Sequence, residues 1–460
     1  MTIADYQQAL QNQSAVEVVR AALQKAQDTA DYNVFITMTA ERALERAAAV
    51  DRGEITGRLA GVPFAVKDNF AVDGAPTTAA SQFLATFTSP IQATAVERLE
   101  AEGAICIGKV NLDAFAHGGS TENSAFGPTK NAVDATRVAG GSSGGSAVAV
   151  ALDIVPFTLG TDTGGSIRQP ASFNGVVGFK PTYGAVSRYG VVAMASGTDC
   201  IGVLSQSVSD SELVMSIMAG QDAKDSVTHD DYFTPQAKPN GKKLAVITDC
   251  MGNGVEAGVK ASINQAIDDL RQAGYSVDEV SMKMMPYALA IYYIVVPAEI
   301  SSNLARYDGV RYGARAEAKS LAELYSASRA QGFMPENKRR IMIGSYVLSS
   351  GYFDAYYQKA QQARTLLIRE YDELFTTYDA LLAPVAPRPA FALGSHTSDP
   401  VTMYLEDTMT VPASLAGLPA VSVPVAPADG LPVGLQIIGA QQADAHVLAL
   451  ARQVEGFGRG

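Results

Sequence analysis

The sequence contains few of the residues that build disulfide frameworks and metal centres. Its three cysteines, Cys106, Cys200 and Cys250, are far apart and form no CxxC pair. This spacing argues against disulfides and against a zinc site, and it favours a reducing interior. The four histidines are equally scattered, with no two at the spacing of metal ligands. We therefore expect no protein-bound metal.

Long apolar runs and clusters of basic residues are also lacking. No uninterrupted apolar run of about 18 residues occurs, so we expect no transmembrane helix. The first residues, MTIADY, lack the basic flank and apolar segment of a signal peptide. The formal charge of −12 argues against this chain forming the main contact surface for a nucleic acid. Its 47% hydrophobic and 18% charged residues are typical of a well-packed globular protein.

The order of predicted segments indicates an α/β fold with one sheet. Strands are predicted at 61–67, 104–108, 175–179, 190–193, 243–248, 380–383 and 435–438. Helices are predicted between them, and residues 288–375 are predicted to be mainly helical. Residues 221–242 are polar and rich in turn residues, which indicates a surface loop. Because strands occur near both ends of the chain, we expect one domain over residues 1–460 rather than a string of independent modules.

Two runs rich in Gly and Ser stand out within residues 61–200. Gly140–Ser146 and Asp162–Pro170 are separated only by an apolar segment. Glycine permits tight turns, and such turns can present a reactive hydroxyl. These residues are typical both of a serine nucleophile and of ordinary turns, so both interpretations stay open at this point.

Lys67 ends the apolar strand predicted at 61–67, where a buried strand normally carries no charge. A serine attacks an amide only when a base removes its proton, and no histidine lies near either loop in sequence. An unperturbed lysine holds its proton at pH 7 by about 4.6 kcal/mol. Burial can lower a lysine pKa by about 3 to 5 units, so this hypothesis requires a deeply buried Lys67. The alternative is a surface lysine paired with Asp68.

Residues 103–109 match the phosphate-loop pattern GxxxxGK. However, Val110 stands where the magnesium-binding Ser or Thr is needed, and the predicted strand lies inside the pattern instead of before it. We therefore expect no nucleotide binding there. A nucleotide-binding or catalytically inactive protein is kept only as a third alternative.

Taken together, Lys67, Gly140–Ser146 and Asp162–Pro170 resemble the amidase signature family, in which the two serines are also 24 positions apart. The resemblance implies that Ser166 is the nucleophile, that Ser142 follows a cis peptide bond and relays the proton, and that Lys67 is the base. It also implies the amidase signature fold, a large mixed β-sheet covered by helices on both faces. The expected oxyanion hole is formed by backbone N–H groups, those of Thr163, Gly164, Gly165 and Ser166.

Segments after residue 290 are similar to the glutaminase subunits of tRNA-dependent amidotransferases, a branch of the same family. They include SNLARYDG at 302–309, KRRIM at 338–342 and LAGLP at 415–419. The resemblance implies that Tyr292, Arg340 and Asp407 bind the amino acid end of glutamine. A guanidinium suits the α-carboxylate and an aspartate suits the α-ammonium. Ordinary surface or core roles are the alternative for each.

The same resemblance implies a reaction and its partners. L-Glutamine would be hydrolysed through a glutamyl ester on Ser166, and the ammonia would reach a B subunit that uses ATP and Mg²⁺. That subunit would convert Glu-tRNA(Gln) to Gln-tRNA(Gln), and whether Asp-tRNA(Asn) is converted too stays open. A small C subunit would complete a cytoplasmic heterotrimer in which tRNA is held mainly by B, and this chain would need no cofactor. The alternative is a free-standing amidase that acts on another carboxamide.

A few residues depart from those common in the family. His117 stands in place of methionine, Ala139 of proline, Cys200 of glutamine and Ser414 of asparagine. None is one of the three expected catalytic residues. We therefore expect a changed pocket shape and an intact activity.

Overall fold

The computed structural model describes residues 1–235, 241–395 and 400–457. Within these residues, eleven strands form one sheet. In chain order they are β1 (Phe35–Met38), β2 (Pro63–Lys67), β3 (Ile105–Val110), β4 (Phe157–Asp162), β5 (Val177–Lys180), β6 (Cys200–Ser205), β7 (Lys243–Ile247), β8 (Ser276–Val280), β9 (Ala380–Pro384), β10 (Ala420–Ala428) and β11 (Leu431–Ile438).

The same described residues form fifteen α-helices, and a π-helical segment, Phe353–Gln358, leads into one of them. They are α1 (Ile3–Ala9), α2 (Ala15–Asp28), α3 (Ala40–Asp51), α4 (Thr94–Ala101), α5 (Gly144–Ala151), α6 (Arg168–Asn174), α7 (Val208–Met218), α8 (Ala257–Gln272), α9 (Met285–Asn303), α10 (Leu321–Gly332), α11 (Pro335–Val347), α12 (Lys359–Phe375), α13 (Pro400–Leu405), α14 (Val411–Leu415) and α15 (Asp444–Phe457).

The strand order is β1-β3-β2-β4-β6-β5-β10-β11-β9-β7-β8. β2 is parallel to both of its neighbours, β3 and β4. The middle of the sheet, from β4 through β6, β5, β10 and β11 to β9, is antiparallel. β7 then pairs in parallel with β9 and β8. The predicted α/β fold with one large mixed sheet is thus confirmed.

Helices cover both faces of the sheet, as the alternation of side chains along β2 and β3 demonstrates. Successive residues of a strand point to opposite faces. On β2, Phe64 and Val66 belong to the larger apolar core, whereas Ala65 belongs to a second core. On β3, Cys106 packs in the larger core and Ile107 in the second. Each face therefore has its own buried layer.

The helices form where the sequence supplies both an apolar stripe and a cap. At the start of α2, the N–H of Glu17 donates to Ser14 Oγ at 3.2 Å, and the N–H of Ser14 donates to Glu17 Oε2 at 2.9 Å. This reciprocal pair satisfies two backbone donors that would otherwise lack partners. Val18, Val19 and Leu23 lie on the buried face of α2 and pack in the second core or at its border with the first.

The order of β2, β3 and β4 positions the Gly/Ser loops. Parallel strands end at the same edge of a sheet, so Lys67 at the end of β2 lies close to Asp162 at the end of β4. α5 precedes β4 and packs against it. Because the chain reverses direction between them, the start of α5 lies at that same edge. The run Gly140–Ser146, which leads into α5, therefore meets the loop that follows β4.

One predicted strand is absent. Residues 190–193 form no strand, and Val191 makes only an isolated bridge to Phe70. Gly190 has φ of 80°, a turn conformation that an extended strand cannot contain. In the predicted loop 221–242, residues 221–235 form neither helix nor strand, and residues 236–240 lie outside the described part of the chain.

By length and composition alone, one helix among the described residues could cross a membrane, and it spans Met285–Arg306. Half of its apolar stretch is buried inside the protein. α9, which forms most of this helix, packs against α11 and α12. Pro297 and Glu299 interrupt its apolar residues, which explains why the sequence pattern predicted no such segment.

Candidate active site

Lys67 lies at the centre of the site and has no solvent exposure. Its amino group, Nζ, is 2.7 Å from Ser142 Oγ and 2.9 Å from Thr161 Oγ1. Asn69 Nδ2 also donates to Thr161 Oγ1, at 3.2 Å. The alternative of a surface lysine is therefore wrong, and Lys67 directly contacts one of the two serines that the sequence singled out.

Burial lowers the pKa of Lys67 to about 7. The carboxylates of Asp113, Asp162 and Asp199 act in the opposite direction, but their attraction for a charged ammonium is smaller than the cost of removing it from water. A lysine with this pKa is neutral in a large fraction of molecules at neutral pH. Its nitrogen can then accept a proton, as a base must.

Ser142 is fully buried and lies just before α5. A cis peptide bond joins Gly141 to Ser142, as the family resemblance implied. The N–H of Gly141 donates to Gln169 Oε1 at 2.8 Å, which fastens this loop to α6. Other hydroxyls of the run have backbone partners, since Ser143 Oγ donates to the Thr161 carbonyl and Ser146 Oγ to the Leu159 carbonyl.

Ser166 lies in the turn between β4 and α6 and is 9% exposed. Its carbonyl accepts a hydrogen bond from the N–H of Ser143 at 3.2 Å, so the two Gly/Ser loops lie side by side. No hydrogen bond of the Ser166 hydroxyl is found among the described residues. The contact between Lys67 and Ser142 is thus already formed, while the Ser166 hydroxyl is left available to a ligand.

The backbone N–H groups after β4 divide into two sets. The N–H of Gly165 donates to Asp162 Oδ1 at 2.8 Å and is therefore occupied. Those of Thr163, Gly164 and Ser166 have no acceptor in the described part of the chain. Of the four donors predicted for the oxyanion hole, three are free in this structure and one has a structural partner.

Asp162 and Arg168 fix the shape of this turn. Arg168 Nε and Nη2 bind the two carboxylate oxygens of Asp162 at 3.0 and 2.9 Å, and both side chains are fully buried. Burial acts to raise the pKa of Asp162, but the charges of Arg168 and Lys180, with the hydrogen bonds from Arg168 and the Ile167 N–H, together lower it to about 2. Arg168 Nη1 also donates to the Thr410 carbonyl and to Gln436 Oε1, at 2.9 and 2.6 Å. Ser414, which stands where asparagine is common in the family, accepts a hydrogen bond from Arg168 Nη2 through its Oγ at 2.7 Å.

The three residues expected to bind substrate form one cluster. Tyr292, on α9, lies against the turn, because a Cβ added at Gly164 would be 2.7 Å from the Tyr292 hydroxyl oxygen. Arg340, on α11, and Asp407 both act electrostatically on Tyr292. The structure therefore brings Tyr292, Arg340 and Asp407 together beside the loop that carries Ser166.

Arg340 is held by aromatic rings and one carboxylate. Its guanidinium lies 5.1 Å from the ring centre of Tyr293 and 5.4 Å from that of Tyr404. Its Nε donates to Glu336 Oε1 at 2.8 Å, and no hydrogen bond of its two terminal nitrogens is found among the described residues. The planar end of the side chain is thus available for a carboxylate.

Asp407 is a partly exposed member of this cluster. The Tyr293 hydroxyl donates to Asp407 Oδ2 at 3.1 Å. Burial raises the pKa of Asp407 to about 7, although Arg340 and the Tyr293 hydrogen bond oppose this increase. A nearby ammonium group would stabilise the ionised form, as expected for a residue that binds an amine.

A cavity of about 280 Å³ opens beside these groups. Its walls include His117, Gly119, Asp113, Glu336, Arg340 and Tyr404. A Cβ added at Gly119 would be 3.6 Å from both Asp407 Oδ1 and Gln169 Nε2. Glycine at this position therefore leaves space between the cavity and Asp407.

The sequence analysis assigned no role to several residues of the site. Thr161 and Asn69 contact the Lys67 region, and Tyr293 and Glu336 hold Asp407 and Arg340. Sequence neighbours could have indicated two of them, because Asn69 follows Lys67 by two positions and Tyr293 follows Tyr292. Glu336 is four residues from Arg340 on α11, the spacing of a helical ion pair.

Lys109 of the rejected phosphate-loop pattern forms a buried ion pair with Asp68, at 2.6 Å. Its side chain is therefore occupied within the core. Over the described ranges, no group of three or more His, Cys, Asp or Glu residues could hold a metal ion.

Residues 17–448 match the protein family described as Amidase. Among curated relatives, the A subunit of glutamyl-tRNA(Gln) amidotransferase from Symbiobacterium thermophilum is 50% identical over 451 residues, which cover 95% of this chain and 92% of that protein.

Solved structures agree with this match. The crystal structure of the A subunit of glutamyl-tRNA(Gln) amidotransferase from Thermotoga maritima has a TM-score of 0.82 and 38% identity, and the match covers 99% of this chain and 94% of that one. Peptide amidase from Stenotrophomonas maltophilia has a TM-score of 0.82 and 28% identity, covering 100% of this chain and 97% of that one. This chain belongs to the amidase signature family and is similar to its glutamyl-tRNA(Gln) amidotransferase A subunits.

Proposed function

We propose that this chain hydrolyses the side-chain amide of L-glutamine and supplies the ammonia to a tRNA-dependent amidotransferase. The observation that carries the proposal is the contact between Lys67 Nζ and Ser142 Oγ, 2.7 Å long and excluded from solvent. Burial and the lowered pKa make Lys67 a base, and the neighbouring loop supplies Ser166 as the nucleophile.

In the proposed reaction, the Ser166 hydroxyl attacks the amide carbon while its proton passes to Ser142 and the Ser142 proton passes to Lys67. The negative charge on the carbonyl oxygen is stabilised by free backbone N–H groups of the turn, those of Gly164 and Ser166 among them. Lys67 then returns the proton through Ser142 to the leaving nitrogen, and ammonia departs. A water molecule repeats the sequence on the glutamyl ester and regenerates Ser166.

The charges around the cavity support glutamine as the substrate. Arg340 offers its unpaired guanidinium end to the α-carboxylate, and Asp407 offers a carboxylate to the α-ammonium. The Tyr292 hydroxyl lies against Gly164, in the loop that carries Ser166. A carboxamide without these two charged groups would leave the terminal nitrogens of Arg340 and Asp407 Oδ1 without partners, at a cost of about 1–3 kcal/mol each.

The relatives support the assignment to a complex. They are named as A subunits of glutamyl-tRNA(Gln) amidotransferase, and the matches cover most of both chains. We expect a B subunit that uses ATP and Mg²⁺ to amidate Glu-tRNA(Gln), and a small C subunit that completes a heterotrimer. The formal charge of −12 on this chain favours tRNA binding mainly through B. This chain itself is expected to need no cofactor.

A free-standing amidase is the second candidate. It is favoured by the peptide amidase of Stenotrophomonas maltophilia, whose fold matches this chain with the same TM-score as the Thermotoga maritima protein. This candidate predicts full activity from the purified chain without partners. The proposed subunit predicts glutamine hydrolysis that increases when B, C and charged tRNA are added.

The test is Ser166→Ala in the reconstituted complex, assayed with glutamine and separately with ammonium chloride as the nitrogen donor. We expect glutamine-dependent amidation to be lost and ammonia-dependent amidation to persist, because free ammonia bypasses this site. Ser146→Ala is the matched control, since its hydroxyl bonds only to the Leu159 carbonyl in this structure. Glutamine-dependent amidation by Ser166→Ala at the rate of the control would refute the proposal.

A further inference from the structure

His117 has an imidazole that is completely buried and only half satisfied. Its Nδ1 contacts Asn337 Nδ2, on α11. Its Nε2 is buried with no hydrogen-bond partner among the described residues. Buried polar atoms are almost always hydrogen-bonded, so the unpaired ring nitrogen of a residue that lines a cavity is a donor that a ligand could use.

The hydrogen bonds of Asn337 determine which ring nitrogen of His117 carries the proton. The N–H of Met334 donates to Asn337 Oδ1 at 3.1 Å, and Asn337 Nδ2 donates to the Ala114 carbonyl at 2.8 Å. The amide orientation is thereby fixed, with its NH₂ group towards His117. Because this group can only donate, Nδ1 of His117 must accept, and the proton of the neutral ring lies on Nε2.

The ring is neutral. Burial lowers the pKa of His117 well below its ordinary value, and the positive charge of Arg340 lowers it further. A single proton is therefore present, and Nε2–H is a donor. An unused buried donor is unfavourable, and a bound acceptor would satisfy it.

His117 and Arg340 line the same cavity of about 280 Å³. Two of the three carboxylates in its walls, those of Asp113 and Glu336, have partners, whereas Glu122 Oε2 is buried with no hydrogen-bond partner among the described residues. Asp113 accepts the N–H groups of Thr121 and Asn123 at 2.9 and 3.0 Å, and Glu336 binds Arg340 and the Tyr404 hydroxyl. His117, whose Nε2–H is unpaired, and Arg340, whose terminal nitrogens are unpaired, therefore line one cavity together with Glu122.

We propose that His117 is a specificity-determining residue whose Nε2–H donates to the α-carboxylate of the substrate, next to Arg340. This inference rests on the proposed hydrolysis of glutamine. The imidazole adds a neutral, directional donor to the charge of Arg340, and Asn337 is the positioning residue that keeps the proton on Nε2.

The kinetic test compares His117→Met and His117→Gln with the unaltered chain in the complex. Two substrates are used, L-glutamine and 4-aminobutanamide, which lacks only the α-carboxylate. We expect His117→Met to raise KM for glutamine about tenfold with little change in kcat, since it removes one hydrogen bond to a charged group. We expect kcat/KM for 4-aminobutanamide to stay within about twofold, and His117→Gln, which restores an N–H donor, to recover part of the loss.

A direct test uses the chain labelled with ¹⁵N-histidine and carrying Ser166→Ala, so that substrate binds but does not react. The four histidines of the sequence give a sparse spectrum. We expect one Nε2–H resonance, absent in His117→Met, to shift on adding L-glutamine and not on adding 4-aminobutanamide. The resonances of the other histidines should stay unchanged.

The outcomes separate the two proposals. An unchanged KM for glutamine in His117→Met, or an equal loss with both substrates, would overturn the role of His117 while leaving glutamine hydrolysis intact. A complex without any glutaminase activity would overturn the proposed function and this inference with it. Melting temperatures of both variants close to that of the unaltered chain exclude misfolding as the cause of a raised KM.

Discussion

Asp68 forms a buried ion pair with Lys109, whose Nζ lies 2.6 Å from Asp68 Oδ1. Asp68 is next to Lys67 in sequence, and an ion pair between those two neighbours was the main alternative to a catalytic lysine. Thr78 also binds Asp68, through its N–H and its hydroxyl. The carboxylate is thus fully occupied on the side of β2 away from Lys67, and burial can keep the pKa of Lys67 low.

Replacing Lys109 by methionine should therefore affect both stability and catalysis. Without Lys109, Asp68 is a buried charge with no cationic partner, which costs about 3–5 kcal/mol of the free energy of unfolding. Its negative charge also acts on Lys67 and raises that pKa, so the pH–rate profile should move to higher pH. Urea unfolding and the profile of kcat/KM measure the two effects. The double variant Lys109→Met with Asp68→Asn should restore the profile, and a profile unchanged in Lys109→Met would contradict this account.

Activity should increase as pH rises through about 7. Lys67 acts as a base only when neutral, and burial lowers its pKa to about 7. Asp407 must be ionised to bind an ammonium group, and burial raises its pKa to about 7. Both groups therefore lose a proton over the same range, and kcat/KM should rise more steeply than one titration allows. Asp407→Asn should leave a single, shallower titration, whereas a profile that falls through pH 7 would argue against both assignments.

Lys67→Met should strongly reduce activity and preserve the fold. Loss of the base is expected to lower kcat by about 10²–10⁴-fold or more. In the unaltered chain, the unfolded state binds more protons than the folded state between pH 7 and the ordinary lysine pKa of about 10.4, so stability should increase with pH over that window. The methionine variant should lack this increase and be at least as stable at pH 7. Chemical unfolding at several pH values measures the free energy of unfolding of both proteins. If this free energy changed with pH equally in the two proteins, the prediction would be wrong.

Gly164→Ala should impair catalysis through a steric contact. The added Cβ would be 2.7 Å from the Tyr292 ring, so the ring or the nucleophile loop must move. A displacement of about 1 Å in such a loop can lower kcat by about 10²-fold. Gly254→Ala is the matched control, because a Cβ there has nothing within 4 Å. Equal kcat values for the two variants would indicate that the Tyr292 contact is unimportant.

Arg340→Lys should weaken glutamine binding although it preserves the charge. The guanidinium stacks on Tyr293 and Tyr404, and lysine offers neither a planar group for this stack nor a bidentate donor. We expect KM for glutamine to rise about ten- to hundredfold, with a smaller change in kcat. Steady-state glutaminase assays measure both constants. A KM within twofold of that of the unaltered chain would show that Arg340 does not bind the substrate.

The sequence identified the candidate catalytic residues more completely than the residues that contact them. Lys67, Ser142 and Ser166 were found because their motifs are local and lie at fixed separations. The Gly165 N–H was predicted to face the oxyanion, but it donates to Asp162, since a loop sequence does not reveal which amides turn inward. Thr161 lies at the site because β4 pairs with β2, and Tyr293 because α9 packs beside it. The spacing of residues in the sequence does not predict such long-range contacts. The strand predicted at 190–193 is wrong because an apolar run does not reveal the turn at Gly190.

The turn that carries Ser166 depends on residues that are synthesised much later than the turn itself. Arg168 is anchored by Thr410 and Gln436, and the Thr410 hydroxyl donates to the Gly164 carbonyl at 2.6 Å. A nascent chain interrupted at residue 400 therefore contains the lysine and both serines but not these anchors. We expect such fragments to be inert, so that the ribosome releases a working amide-cleaving centre only when the last hairpin, β10 and β11, has been added.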